Sequence, residues 1–125
     1  MSNDASVVSI TLQAGSNLSA STNLYKFVKM SSDGQIDVVN SAGGEAVGVL
    51  YNDPNAAGKA AQVAVAGVVK IQAGATIDEG EKIQSADDGQ ADVAASGDHV
   101  LGVALTAGDA GDIISMLLIS HHILA

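Results

Sequence analysis

The side chains able to do chemistry in this chain are few and poorly grouped. Acids dominate, with 11 Asp and 3 Glu against 5 Lys and no Arg. Their densest cluster is Asp87-Asp88-Gly89-Gln90-Ala91-Asp92. Clustered carboxylates are what hard cations such as calcium take, but the spacing of an EF-hand loop is absent and no Glu closes it. An earlier motif, Ser32-Asp33-Gly34-Gln35-Ile36-Asp37, repeats the pattern with Ser in place of Asp87. A duplicated metal site would keep its ligands, so both motifs read as hairpin turns with exposed acids. The histidines are His99, His121 and His122. Neighbouring residues on a strand point to opposite faces, so the His pair is badly placed to share one metal. The pair reads as the polar end of a last strand. A sharper alternative is a subunit contact formed by His121, His122, Ile123 and Leu124, with the His pair titrating at about pH 6–7. There is no Cys, hence no disulfide or thiolate. No nucleophile elbow, zinc-protease helix motif or phosphate loop occurs. We therefore expect no catalytic residue, no cofactor and no metal: this is not the sequence of an enzyme.

What the chain does carry is a repeat. Asp33-Gly34-Gln35-Ile36-Asp37-Val38 returns as Asp88-Gly89-Gln90-Ala91-Asp92-Val93. Val47-Gly48-Val49-Leu50 is answered by Leu101-Gly102-Val103-Ala104-Leu105, Ala57-Gly58-Lys59 by Ala110-Gly111-Asp112, and Leu12-Gln13-Ala14-Gly15 by Ile71-Gln72-Ala73-Gly74. The spacing between copies drifts as small loop differences would make it drift. Turns and strands recur, and reactive groups do not. That is the pattern of building material.

Strand candidates cover residues 7–12, 24–30, 35–39, 47–51, 61–66, 68–72, 82–85, 91–94, 100–105 and 113–119. They are rich in Val and Ile and bounded by Gly, the mark of many short strands with tight turns. Asp33-Gly34 and Asp88-Gly89 are hairpin dipeptides, because Gly accepts positive φ and Asp tolerates it. The alanine-rich stretch 56–66 is not helical, since Gly58 interrupts it and Val63 and Val65 alternate. One helical turn fits residues 53–57, with Asp53 as N-cap and Pro54 in first position. The expected fold is all-β: a small barrel or sandwich of two similar halves, about 12–66 and 71–119, joined by short hairpins. An N-terminal arm, 1–10, precedes a single domain, 11–125.

Apolar residues make up 47% of the 125, yet the aromatics are only Tyr25, Phe27 and Tyr51. Small and β-branched side chains each bury little area, so self-association would add needed burial. A net charge of −9 with no Arg excludes autonomous nucleic-acid binding and adsorption to an anionic membrane. Met1-Ser2-Asn3-Asp4 does not start a signal peptide, and the run 113–119 is too short to span a bilayer. Synthesis in a cytoplasm is expected.

One stretch carries a family likeness. It runs from Ala64-Val65-Ala66-Gly67-Val68 through Ile71-Gln72-Ala73-Gly74-Ala75-Thr76-Ile77 and Gly80-Glu81-Lys82-Ile83. It continues through Asp88-Gly89-Gln90-Ala91 and His99-Val100-Leu101-Gly102-Val103-Ala104-Leu105 to Ala110-Gly111-Asp112-Ile113-Ile114. Over residues 45–119 the chain resembles the capsid cement, or head decoration, proteins of tailed bacteriophages. The resemblance implies a β-rich trimer on the outside of the phage head, bound to the major capsid protein after the shell expands. It implies no cofactor. It also implies an N-terminal arm on the capsid lattice, here Ser2, Asn3, Asp4, Ala5, Ser6, Val7 and Val8. The Ser/Asn-rich lead with no counterpart in the second copy, through Ser16, Asn17, Ser19, Ser21 and Asn23, is a second capsid-contact candidate. The rival reading is a tail- or fibre-associated, or cell-surface, β module binding carbohydrate or protein. Sugar sites favour aromatic platforms, which this chain scarcely has.

Overall fold

The computed structural model describes residues 8–18, 23–52, 54 and 56–123, with side chains through residue 118. Nine strands run through these residues: β1 (Val8–Ala14), β2 (Phe27–Ser32), β3 (Gln35–Val38), β4 (Gly48–Leu50), β5 (Ala60–Gln72), β6 (Lys82–Ser85), β7 (Ala91–Val93), β8 (His99–Ala104) and β9 (Ile113–Ile123). The protein is all-β, as the Val- and Ile-rich runs between glycines predict. Asp53 and Asn55 lie outside the described residues. Next to them Ala56 to Lys59 form a turn, with the Lys59 N–H donating to the Ala56 carbonyl at 3.2 Å.

One expectation changes. Residues 61–66 and 68–72 are not two strands but one, β5, bent at Gly67. Gly67 has φ +94°, a backbone that only glycine adopts cheaply. Before the bend β5 pairs with β1 and β4; beyond it β5 pairs with β9. The strand serves both halves in turn.

Each half closes on itself. In the first, β1 pairs with β3, β3 with β2, β2 with β4, β4 with β5, and β5 back with β1. In the second, β5 pairs with β9, β9 with β8, β8 with β6 and β6 with β7. A parallel bridge from Ala73 to Ala91 then closes the ring. Closure removes the free edges that would invite aggregation. The register repeats as well as the order. Ala14 beside Ile36 corresponds to Ala73 beside Ala91, and Phe27 opposite Val49 to Lys82 opposite Val103. Val49 opposite Ala64 corresponds to Val103 opposite Leu117.

Packing explains two glycines. A Cβ on Gly48 would sit 2.1 Å from the Ala64 carbonyl oxygen, and one on Gly102 2.6 Å from that of Leu117. Both strands pass too close to a neighbouring backbone for any side chain, which is why Gly-Val recurs here.

The first half has its own small core of Ala14, Leu18, Val28, Ile36, Leu50, Ala61 and Val63. The equivalents Ala73, Ile77, Ile83, Ala91, Ala104, Ile114 and Met116 lie in the second core. That second cluster is larger because it includes the seam between halves. Phe27, Val39, Val49 and Ala64, from the outside of the first half, are all buried in it.

Candidate capsid-contact surface

The residues singled out from sequence fall into three places. Ser2, Asn3, Asp4, Ala5, Ser6 and Val7 lie outside the described residues, as do Ser19, Ser21 and Leu124. Val8 opens β1, pairs with Ala66 and is more than half exposed, so the stretch assigned to an arm ends inside a strand. His121, His122 and Ile123 are the last residues of β9, where His122 is opposite Val100 and Ile123 opposite His99.

Of the remaining candidates, Asn17 is exposed and does not line the depression that Ser16 and Asn23 share. Ser16 leaves the end of β1 and donates from its hydroxyl to Asp37 Oδ1 on β3 at 2.5 Å. Leu18 is buried, anchored by its N–H to the Pro54 carbonyl at 2.8 Å. Asn23 holds the other side, its carbonyl accepting from Lys26 N–H at 3.2 Å. Between them and the outer side of β2 and β3 lies an open depression of about 560 Å³, reached by Ser16, Asn23, Lys29, Asp37 and Asn40. The Lys29 ammonium is tied to Asn40 Oδ1 at 2.7 Å. The surface is polar, mixed in charge and wide open. It suits contact with another polar surface rather than enclosure of a small substrate.

A second groove, of about 350 Å³, continues from it past Met30 and Asn40 to Glu45, Ala46 and Val47. Met30 and Val47 make this part apolar and exposed.

Among the described residues no three His, Asp or Glu side chains gather as a metal site. The acidic motif is used by its own turn: Asp88 Oδ1 accepts from Gln90 N–H at 3.2 Å and Asp92 Oδ1 from Val93 N–H at 2.8 Å. Also among the described residues, no helix is long and apolar enough to cross a membrane.

The feature that reading the sequence missed is the seam. All the aromatic residues meet there. Tyr25 and Tyr51 pack edge to face, with ring centroids 5.2 Å apart and planes at 77°. Lys70 Nζ lies 6.0 Å from the Tyr25 centroid, and Lys70 N–H donates to the Tyr51 hydroxyl at 2.7 Å. Burial pushes the Tyr51 phenol above its usual value, against the lowering effect of that hydrogen bond. Tyr25 sits at φ +65°, where its counterpart in the second half is Gly80 at +86°. A tyrosine in that conformation costs on the order of 1 kcal/mol. Its contacts across the seam hold it there. In the structural register Tyr25, Phe27 and Tyr51 correspond to Gly80, Lys82 and Leu105, so every aromatic is in one copy. Backbone bonds complete the seam, with Phe27 N–H to the Gly89 carbonyl and Gly43 N–H to that of Ser85, each 2.8 Å. His99 Nε2 of β8 approaches Glu45 Oε1 at 3.9 Å.

Comparison with known proteins agrees with the β architecture. A family model described as phage cement protein matches residues 8–118, and the chain belongs to that family. It is a structural protein of the phage capsid. In fold it is similar to the head fiber gp8.5 N base of bacteriophage phi29, with a TM-score of 0.69 and 22% identity, covering 90% of this chain and 94% of that one. No curated protein matches the chain.

Proposed function

We propose that this chain is a head decoration protein that binds the outer surface of the expanded phage shell as a homotrimer and holds adjoining major capsid protein subunits together. The match to the cement family over residues 8–118 carries this reading. The mechanism is multivalent bridging. One weak contact per chain is insufficient, but contacts linked in one trimer act together through high effective concentration. The N-terminal residues 1–8 and the Ser16–Asn23 side of the first half supply those contacts. Charge agrees with the outer surface: at −9 the chain has nothing to offer packaged DNA.

The test is to mix purified protein with expanded empty heads and pellet them. Binding should be saturable, and decorated heads should resist heat better than bare ones. Deleting residues 1–7 should lower shell affinity at least tenfold while leaving the thermal unfolding of the free protein within a few degrees. A chain that stays in the supernatant, or heads equally robust without it, would end this reading.

A further inference from the structure

We infer that copies of this chain meet head to tail, and that the contact between copies repeats the seam inside each one. The inference rests on the oligomer proposed above and names its surfaces.

The internal seam joins two different surfaces of two equivalent halves. The first half contributes the outward row Ala64–Val49–Phe27, which runs across β5, β4 and β2. The second half contributes its hairpin side: the carbonyls of Ser85 and Gly89 accept from the first half, and Val69 and Leu101 join the buried cluster. Such a contact is heterologous, so each end of the chain keeps one surface unused.

Both unused surfaces are apolar and exposed. The second half's own outward row is Leu117–Val103–Lys82, with Val68 beside Leu117. Leu117 and Val68 are 38% and 39% exposed, whereas Ala64, the counterpart of Leu117, is fully buried. The first half's unused hairpin side shows the mirror of this. Ile10, Met30 and Val47 are 43%, 43% and 36% exposed. Their counterparts Val69, Ser85 and Leu101 are buried at the seam. The hairpin glycines agree. A Cβ on Gly89 would lie 2.6 Å from Val38 Cγ1, across the seam, while one on Gly34 would meet nothing within 4 Å.

The occupant of each surface is therefore the other surface, on a second copy. Charge fits the exchange. Phe27 donates to the Gly89 carbonyl, so its counterpart Lys82 would lie beside Gly34 of the next copy, next to that copy's Asp33. Lysine is what the row carries where it has no hairpin of its own to cover it. In the proposed trimer, this contact closes three chains into a ring of six halves in one repeated relation.

The test uses two exposed substitutions, Leu117→Asp and Met30→Asp, with circular dichroism and thermal unfolding to confirm the fold. Sedimentation should give a multimer for the wild type and a single 12.4 kDa chain for each variant. Mixing the two variants is decisive. Each keeps one good surface, so the mixture should form a capped pair of about twice that mass. Lys82→Asp should weaken assembly several-fold, and adding Asp33→Lys in the same chain should restore it. A mixture that stays monomeric, or variants that assemble like wild type, would overturn the inference. So would a wild type that sediments as one chain at every concentration. If that monomer still binds empty heads, the capsid reading stands; if multimers form as described but ignore heads, only the capsid reading falls.

Discussion

Phe27 and Lys82 occupy the same place in the two halves, in the same strand, opposite equivalent valines. Phe27 is fully buried and Lys82 is exposed. The backbones around them follow one plan, with the same strand order, register and close-approach glycines. What differs is what lies outside. The first half has a neighbour on its outer face and has filled that face with aromatics. Among the described residues the second has none and carries Lys82 and Leu117 instead. Inner positions of a repeat are thus constrained by the repeat itself, and outer positions by what covers them.

The sharpest way to break this comparison is to exchange the pair. Phe27→Ala should cost about 3–5 kcal/mol of unfolding free energy, from lost transfer energy and the cavity left in the seam. Lys82→Ala should stay within about 0.5 kcal/mol, as exposed substitutions do. Denaturant unfolding of both variants checks this, and similar losses would mean the two outer faces are not different after all.

A smaller effect separates Tyr25 from Gly80. Tyr25→Gly relieves the φ +65° backbone but loses the Tyr51 and Lys70 contacts, for a net loss of about 1–2 kcal/mol. Gly80→Tyr gains no such contacts and pays the backbone strain alone, about 1 kcal/mol or more. If Tyr25→Gly is stabilising, the tyrosine is not held by the seam.

The smallest effect sharpens the comparison through pH. The Tyr51 phenol has a raised folded pKa, so its contribution is fully present below the ordinary tyrosine value of 10.0. Above that value the unfolded chain loses its proton first, and stability falls as pH rises through the folded pKa. Tyr51→Phe should flatten part of this alkaline loss in unfolding curves taken between neutral and strongly alkaline pH. Its counterpart, Leu105, carries no titrating group, so the alkaline signal should belong to the seam side alone.

Most of the β architecture was legible in the sequence. Gly34 and Gly89 mark hairpin turns by local steric rules, and alternating Val63 and Val65 mark a half-buried strand. Gly67 misled: a glycine between two Val-rich runs looks like a break, and only the pairing on either side reveals a bent, continuous strand. On the candidate surface, Ser16 and Asn23 were picked out as residues of an unmatched loop. Their meeting with Asp37 and Lys29 was not readable, because Ser16 and Asp37 are 21 positions apart and meet only when β1 and β3 lie side by side.

By itself the sequence determined that this chain would be a duplicated all-β scaffold, because turn chemistry and residue alternation act over a few neighbours. Only the tertiary structure decided that the two copies share β5 and stack through unlike faces. That choice depends on which side of each closed half finds apolar area to bury, a property of the assembled surfaces that no short stretch of chain contains.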